Sequence, residues 1–484
     1  MWSFIMLFLF FLLPLGIFLL VLVSRTAFLR TRSTTNEDPK RVSPDERMES
    51  ILLDAIACKT VSHTATEATD WKEFAHLATV LQKSFPHCET KRIRDQEIGP
   101  YNLVYRFPGE NTKQEPALLT AHLDVVGATE QQWSHPPFKG TLDSTYLYGR
   151  GSFDCKLQVI SILSAFEALL EQNQQPKTTW YVAFGCDEES NGSEEGASKI
   201  SRYFKNQGLH FKFVLDEGGV VSQKYIKGFE QSIAVVGVAE KGYLDLELAS
   251  ERIAGHSSTP AFPTALGNLG RAIHRLERHQ MPARLTPPVK QMLVRLGKEG
   301  PFFYSLLFLN LWLTGGLLKW IFSKQATLNA AIRTTVVPTV ISASEKSNVI
   351  AKKATAQVNI RLLNGDTEER VATWVKNTIK DPSISIRTLR FTPPSKVSSS
   401  EGKAFSFLCS AIKHIFPEAI ATPYLMMGAT DARKYQELSD CIYRFTPARM
   451  ERSEVDRMHA PDERISRENI VLAKRFYHHL ITNW

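Results

Sequence analysis

The chain has 484 residues, more than one typical hydrophobic core supports, so its length predicts two domains or a main domain with an insertion. The apolar fraction of 43% is ordinary for a globular protein and argues against a disordered chain. The net charge is +8, but lysine and arginine are spread along the chain, without a basic run interleaved with aromatic residues. This distribution argues against nucleic-acid binding and fits attraction to an anionic membrane surface better.

The first 24 residues carry no charged side chain, and about 20 apolar residues suffice to cross a bilayer. We interpret residues 1–24 as a single-pass membrane anchor. A cleaved signal peptide, which would make the protein secreted, is the alternative; it is less favoured because the apolar run is long and no basic residue precedes it. Arg25, Arg30 and Arg32 would place the following chain in the cytoplasm, but the side of the membrane stays open. Residues 25–47 are predicted to form a polar linker.

Three apolar, strand-like runs end in polar side chains, and the segment "LQVISILSAFEALLEQ" between the first two has helical periodicity. Strands that alternate with helices predict an α/β fold: a mostly parallel sheet with helices on both faces and a ligand crevice at the carboxyl ends of its strands. The runs and their terminal residues are "PALLTAHLDVV" with His122 and Asp124, "TTWYVAFGCDEES" with Glu188 and Glu189, and "FKFVLDEGG" with Asp216 and Glu217.

Amphipathic strands replace this pattern in the second half of the chain, which predicts an inserted, smaller α+β lid domain. The predicted boundaries are 48–232 for the first part of the catalytic domain, 233–392 for the lid and 393–484 for the second part of the catalytic domain. Within the lid, residues 302–318 are uncharged for long enough to resemble a second membrane span. A crossing there would separate the strand-end residues from the C-terminal His459, so we expect a buried helix pair, or an apolar surface that contacts lipid or a greasy substrate.

Imidazole and carboxylate side chains of the kind that bind a pair of zinc ions occur at the ends of the three strand-like runs and at two further positions. Each residue alone has an ordinary structural explanation, such as a solvated carboxylate or a structural histidine. Their recurrence at three predicted strand ends favours a metal site. The set comprises His122, Asp154, Glu188, Glu189, Asp216 and His459.

The chain resembles the cocatalytic zinc metallopeptidases, a family that includes aminoacylase, glutamate carboxypeptidase, carboxypeptidase S and the N-fatty-acyl-amino-acid synthase/hydrolase. The resemblance covers roughly residues 48–484, and it is strongest to the carboxypeptidase S and fatty-acyl amino acid hydrolase branch through "DEGG", "IRTT" and "MHAPDERIS". The other matching stretches, in chain order, are "AHLDVV", "YGRGSFDCK", "GCDEES", "VLDEGG", "AGHSSTP", "SNVI", "NIRLLNG" and "MGATDAR".

The resemblance implies a role for each of these residues at two zinc ions per subunit. Asp154 would bridge both metals, with His122 and Asp216 on one and Glu189 and His459 on the other. Manganese or cobalt would suit the same ligand types.

The remaining carboxylates near the metals also receive roles from the resemblance. Glu188 would be the general base that takes a proton from the attacking water. Asp124 would orient the His122 imidazole through its other nitrogen; a solvated surface carboxylate is the alternative there.

Four residues of the lid and the C-terminal part match the family's substrate-binding positions. His256 would donate a hydrogen bond to the developing oxyanion, in some relatives within the neighbouring subunit of a dimer, so a homodimer through the lid is an expectation. Asn348 and Arg361 would recognise a free carboxylate of the substrate, and Gly428 would pack against the same group. A structural histidine at 256 and an ordinary exposed strand arginine at 361 are the alternatives.

Taken together, these features predict a membrane-anchored dizinc hydrolase that cleaves the amide of an N-acyl amino acid or short peptide next to a free carboxylate. The apolar run at 302–318 favours fatty acyl chains, and synthesis by reversal is an option. The alternatives are a carboxypeptidase, an aminopeptidase or a non-catalytic binding protein. An aminopeptidase needs an acidic group for the substrate's amine, whereas Arg361 and Asn348 favour a carboxylate.

Overall fold

The structure is a computed structural model that describes residues 2–31, 42–190, 194–224, 226, 228–229 and 231–484, with the backbone alone for residues 2–13. Residues 32–41 of the predicted linker lie outside the described residues. The helices are α1 (Trp2–Leu29), α2 (Glu46–Ala57), α3 (Trp71–Ser84), α4 (Pro86–Glu89), α5 (Lys156–Glu171), α6 (Ala197–Asn206), α7 (Ala265–Arg278), α8 (Pro287–Glu299), α9 (Phe302–Phe308), α10 (Leu311–Phe322), α11 (Ala326–Ala331), α12 (Glu368–Ile379), α13 (Lys403–Ile415), α14 (Arg452–Val455) and α15 (Arg467–Asn483).

The strands form a large sheet, a lid sheet and two small ladders. They are β1 (Arg92–Ile93), β2 (Leu103–Phe107), β3 (Ala117–His122), β4 (Thr141–Leu142), β5 (Tyr146–Tyr148), β6 (Trp180–Gly185), β7 (Val214–Ser222), β8 (Ser232–Glu240), β9 (Gly242–Glu251), β10 (Gly255–His256), β11 (Thr335–Ser342), β12 (Val349–Ile350), β13 (Lys353–Leu362), β14 (Ile384–Thr392), β15 (Ala419–Met426), β16 (Ile442–Met450) and β17 (Arg464–Ser466).

The large sheet confirms the predicted α/β class. Its eight strands run in the order β1-β2-β6-β3-β7-β16-β8-β15, and the central pairings β6–β3, β3–β7 and β7–β16 are parallel. Helices cover both faces: one core cluster packs α2, α3, α5, α13 and α15 against the sheet, and another packs α6 against the opposite face. Continuous apolar strands such as "WYVAFG" suit this arrangement because both of their faces are buried.

The third polar strand end differs from the sequence prediction. Strand β7 does not stop at Asp216 but continues to Ser222. Its pairing with β3 ends at Leu215, and its ladder with β16 is irregular just beyond. Gly218 has a φ of 138°, which a side chain would disfavour, so the strand bends where the sequence suggested that it ends.

The chain passes from the large sheet to the lid at Lys241. Strand β8 pairs with β15 in the large sheet, whereas β9 belongs to a four-stranded sheet of order β11-β13-β9-β14. The prediction began the lid at residue 233, but the structure begins it after Glu240. Because a single residue joins β8 to β9 without a turn signal, the sequence reads as one amphipathic stretch.

Lys241 is only 3% exposed, and its ammonium donates hydrogen bonds to the carbonyls of Ala330 and Arg333 at 3.0 and 2.9 Å. Burial, helped by the nearby Arg361 charge, lowers the Lys241 pKa to about 7. An unfolded lysine has a pKa of about 10.4, so the folded chain binds fewer protons between these values, and stability rises with pH there. We expect wild type to gain up to about 1.4 kcal/mol of unfolding free energy per pH unit relative to Lys241→Met.

Denaturant unfolding of both proteins between pH 7 and ~10 measures this difference, in which other titrating groups cancel. Parallel stability curves for wild type and Lys241→Met would show that Lys241 keeps an ordinary pKa in the folded chain.

The apolar stretch at 302–318 forms the helix pair α9 and α10, bent by 102°. Together with α8 and α11, the pair packs on the large sheet through Ile233 of β8 and Ile420 of β15, so it is not part of the lid core around α7 and α12. Phe308 and Leu318 are buried in this contact, whereas Trp312 and Trp320 are exposed. The predicted helix pair is present, but only one of its sides is buried.

Helix α1 runs past the predicted anchor boundary at residue 24 to Leu29. The amide of Thr31 donates a hydrogen bond to the carbonyl of Lys298 at 2.9 Å, so the start of the predicted linker contacts α8. Among the residues whose side chains the structure describes, which for α1 are 14–29, no single helix has both the length and the apolar composition needed to cross a membrane; α9 and α10 reach them only as a bent pair. The anchor at 1–24 stays a prediction.

Candidate active site

Side chains from four parts of the chain meet around Asp154. Its Oδ1 lies 3.0 Å from His122 Nε2, at the end of β3, and its Oδ2 lies 2.9 Å from His459 Nε2, in the loop between α14 and β17. His459 Nε2 also lies 3.0 Å from Glu189 Oε1, just after β6. A single carboxylate therefore joins two imidazoles, the geometry expected of a ligand shared between two metal ions.

Two overlapping groups of these side chains fit a metal ion. His122, Glu188 and Glu189 form one group, and Asp154, Glu189 and His459 form the other, each with one ligand atom per residue within 4.8 Å of the others. Oε1 of Glu189 is buried and makes no hydrogen bond, although it faces the His459 imidazole. An unsatisfied carboxylate oxygen among imidazole and carboxylate donors suits a divalent cation such as zinc.

Asp216, the fifth predicted ligand, belongs to neither group. It is 1% exposed, and its two oxygens accept hydrogen bonds from the amides of Glu217 at 2.9 Å and Ala432 at 2.7 Å. Burial raises its pKa. The structure thus places Asp216 beside the cluster, with its carboxylate engaged by the backbone, and its ligand role stays a prediction.

Asp124 organises both predicted strand ends. Its oxygens accept hydrogen bonds from the amides of Glu188 at 3.2 Å and Glu189 at 2.9 Å, and from Ser62 Oγ at 2.6 Å. His122 Nδ1 lies 2.9 Å from the Asp124 carbonyl and 3.4 Å from its carboxylate. Asp124 is fully buried, so it holds the imidazole and the glutamate pair in one arrangement, consistent with its predicted orienting role.

Glu463 holds the loop that carries Asp154, a role that the sequence analysis did not predict. Its Oε1 accepts hydrogen bonds from the amides of Gly151, Phe153 and Asp154 at 3.0, 3.0 and 3.1 Å, and its other oxygen pairs with the buried Arg150. The sequence shows Glu463 in "MHAPDERIS" but carries no sign that it caps a loop some three hundred positions earlier. Asp431 is a further buried carboxylate near the site that the sequence analysis did not single out, and Glu217, named there only as a strand-end residue, lies close to Asp154 and Asp216.

The cluster is rich in negative charge. Burial raises the pKa of Glu188 well above its usual range; His122 opposes this, and Asp431 and Glu189 add to it. The carboxylates of Asp154 and Glu189, at 2.9 and 3.0 Å from His459 Nε2, raise the His459 pKa to about 10. Crowded carboxylates that carry their negative charge only at a cost favour a bound cation, and a glutamate in such a place can exchange a proton with a reacting group.

The predicted substrate residues lie on the lid and on a loop of the large sheet. His256 ends strand β10 and Asn348 directly precedes its partner β12, and the Ser257 amide donates to the Asn348 carbonyl at 3.1 Å. Both are exposed, and His256 Nδ1 lies 2.7 Å from Ser258 Oγ. Gly428 is exposed in the loop after β15. Among the described residues, no hydrogen bond or ion pair joins these residues to the cluster around Asp154.

Arg361 lies on lid strand β13 with its guanidinium 4.7 Å from the centre of the Tyr243 ring. Within the described part of the chain it has no carboxylate partner, although it is partly buried. Arg390 lies over the same ring at 5.0 Å, and the Tyr243 hydroxyl donates to Asp245. A partly buried arginine without an anion is suited to bind one from a substrate.

A mostly parallel sheet that gathers imidazole and carboxylate side chains at its carboxyl edge, with a smaller lid domain, defines this protein as a metallohydrolase. The chain belongs to Peptidase family M20/M25/M40, whose profile matches residues 118–483. The predicted family is thereby confirmed.

Among curated relatives, an N-fatty-acyl-amino acid synthase/hydrolase of Xenopus tropicalis is 36% identical, with 98% of this chain and 94% of that protein covered. "Probable carboxypeptidase S-like 2" of Dictyostelium discoideum is also 36% identical, with 89% of this chain and 84% of that protein covered. These relatives match the predicted branch.

Solved structures share the fold. The M20 family metallo-carboxypeptidase Sso-CP2 of Sulfolobus solfataricus superposes with a TM-score of 0.64 at 17% identity, over 90% of this chain and 99% of that one. The Bacillus subtilis YXEP protein, described as a dinuclear metal binding peptidase, superposes with a TM-score of 0.56 at 12% identity, over 90% of this chain and 98% of that one.

Proposed function

We propose that this protein hydrolyses the amide bond of N-acyl amino acids next to a free carboxylate, with a preference for fatty acyl chains. The observation that carries the proposal is Arg361, a lid arginine with no carboxylate partner among the described residues. The similarity to the Xenopus synthase/hydrolase supports the acyl chain. Formation of the amide by reversal is part of the proposal.

The proposed site contains two zinc ions held by His122, Asp154, Glu189, Asp216 and His459. Zinc bound there would polarise the amide carbonyl and make water more acidic. Glu188 takes the proton from water and delivers it to the departing nitrogen. His256 donates to the oxyanion from the lid, and Asn348, Arg361 and Gly428 hold the carboxylate. Attachment to a membrane through residues 1–24 and a homodimer through the lid belong to the same proposal.

A carboxypeptidase acting on short peptides is the second candidate. The resemblance to "Probable carboxypeptidase S-like 2" favours it, and it needs the same carboxylate-binding residues. An aminopeptidase would need an acidic group for a free amine instead, and a binding protein would need no general base. The preferred acyl group of the substrate therefore distinguishes an N-acyl amino acid hydrolase from a carboxypeptidase. A requirement for a free carboxylate or for a free amine distinguishes both from an aminopeptidase.

Hydrolysis by the purified full-length chain tests the proposal. The substrates are N-oleoyl-phenylalanine, an N-blocked dipeptide and a dipeptide amide with a free amine, each with added zinc and after chelation. We expect metal-dependent cleavage, fastest for the oleoyl substrate. Faster cleavage of the blocked dipeptide would favour the carboxypeptidase, and faster cleavage of the dipeptide amide the aminopeptidase. No turnover by folded, metal-loaded protein would contradict all three.

Replacing Arg361 should weaken binding of the substrate carboxylate. A hydrogen-bonded charge contributes about 1.5–3 kcal/mol, so Arg361→Met should raise KM about 10- to 100-fold while changing kcat little. Arg361→Lys should recover only part of this, because an ammonium lacks the planar fork. The measurement is steady-state kinetics on an N-acyl amino acid and its carboxamide, which should not respond.

Arg390→Met is the matched control, because Arg390 lies over the same Tyr243 ring but is exposed. A KM effect in Arg390→Met and none in Arg361→Met would assign the carboxylate to Arg390.

A further inference from the structure

Helices α9 and α10 expose large apolar side chains on one side. Phe303, Trp312 and Trp320 are 67%, 66% and 62% exposed, and Leu317 is half-exposed, although the opposite side of the pair is buried against the large sheet. Isolated apolar residues are common on protein surfaces, but a contiguous group of this kind marks an interaction surface.

Helix α1 extends this surface, since its C-terminal part is held against α9. The Arg25 guanidinium donates to the Leu309 carbonyl at 2.8 Å, and Asn310 Nδ2 donates to Thr26 Oγ1 at 2.9 Å. Phe18 meets the Trp312 ring edge-on at 6.2 Å between centroids. We call the exposed apolar faces of α9 and α10 the apolar platform, which α1 borders.

The segments that form and border the platform carry charge of one sign. The sequence contains no aspartate or glutamate in residues 2–31 or 300–344. Arg30 lies 5.6 Å over the Phe302 ring, and Lys324 lies 5.5 Å over the Trp320 ring. Exposed tryptophans next to basic side chains, in segments without acidic residues, are complementary to the headgroup region of an anionic lipid leaflet.

The shape of the helix pair decides how it would meet lipid. The 102° bend between α9 and α10 turns the chain back towards the side from which it came. Phe308 and Leu318 fix the pair to the large sheet, so only its outer side is free. We propose that the apolar platform seats in the headgroup and upper acyl region of one anionic leaflet, without crossing it.

The platform is also connected to the proposed substrate loop. The apolar cluster beneath α9 and α10 includes Ile420 and Leu425 of β15, and Met427 packs against it next to Gly428. If the proposed function holds, this side of the protein brings the loop near the lipid that contains fatty acyl substrates. The lipid contact itself does not depend on that function.

Tryptophan quenching by brominated lipids directly tests the contact between the apolar platform and lipid. The full-length protein is mixed with phosphatidylcholine/phosphatidylserine vesicles whose acyl chains are brominated near the headgroup, and compared with Trp312→Phe/Trp320→Phe. We expect strong quenching in wild type and a clear loss of the quenched fraction in the variant. Equal quenching in both proteins would mean that other tryptophans, such as Trp2, contact the lipid, and would overturn the proposal.

Vesicle co-sedimentation provides a second measurement. Trp312→Glu/Leu317→Glu should weaken partition into anionic vesicles by about tenfold or more, because two exposed apolar contacts become charged. Leu142→Glu/Val397→Glu, at exposed apolar positions elsewhere, is the matched control and should bind as wild type. Equal loss in both variants would contradict the assignment. A platform variant that binds vesicles normally but loses self-association would assign the platform to a second copy of the chain instead.

Discussion

Replacing Glu188 by glutamine should lower kcat by about 10²- to 10⁴-fold and leave the bound metal unchanged. The carboxamide keeps the size of the side chain but cannot accept the proton from water. The Glu188 backbone would stay in place because its amide is held by Asp124. The measurement is kcat on an N-acyl amino acid together with metal content by elemental analysis.

Two controls separate the roles of the neighbouring carboxylates. Glu189→Gln should lose metal as well as activity, since Glu189 belongs to both metal-fitting groups. Glu195→Gln alters an exposed carboxylate paired with Lys199 and should behave as wild type. Metal loss in Glu188→Gln, or activity within about tenfold of wild type, would contradict the assignment of Glu188 as the base.

Replacing Glu240 by glutamine should cost about 3–5 kcal/mol of unfolding free energy. Glu240 is fully buried at the end of β8, where the large sheet meets the lid. Its carboxylate lies 2.6 Å from Arg444 Nε and 2.8 Å from Arg433 Nε, and Arg444 is 1% exposed. Without the carboxylate, the Arg444 charge stays buried and uncompensated. Burial alone would raise the Glu240 pKa, but the two arginines lower it, so this stabilisation is present at neutral pH and is lost on acidification.

Denaturant unfolding of the variant is compared with Glu247→Gln, which removes the partly buried carboxylate that pairs with the exposed Arg387 and should cost less than about 1 kcal/mol. Similar losses in the two variants would contradict a special role for the buried pair.

Because Glu240 also accepts a hydrogen bond from Thr430 Oγ1 at 3.0 Å, we expect Glu240→Gln to raise KM through the neighbouring Gly428 loop.

Local patterns carried much of the fold and of the site. Apolar runs that end in polar side chains predicted the parallel strands and the edge where His122 and the Glu188–Glu189 pair lie, since neighbouring parallel strands present their carboxyl ends on one side. The motif order identified the family. The helix pair at 302–318 also followed from composition, because an uncharged run of that length must be covered by protein or meet lipid.

Other features depend on contacts between distant parts of the chain, which no local pattern contains. Glu463 caps the Asp154 loop and Glu240 pairs with Arg444, and each pairing exists only once the sheet has assembled. The lid boundary was predicted too early, because β8 and β9 differ in their partners rather than in their residue pattern.

Residue types and their order along the chain were therefore sufficient for the α/β class, the family and the ligand types of the candidate site, because these follow from strand periodicity and side-chain chemistry. The tertiary structure alone decided that Asp154 joins two imidazoles, that the Asp216 carboxylate is engaged by backbone amides, and that one side of α9 and α10 stays exposed. The physical reason is that burial, charge pairing and hydrogen-bond partners are set by residues far apart in sequence that meet only in the folded chain.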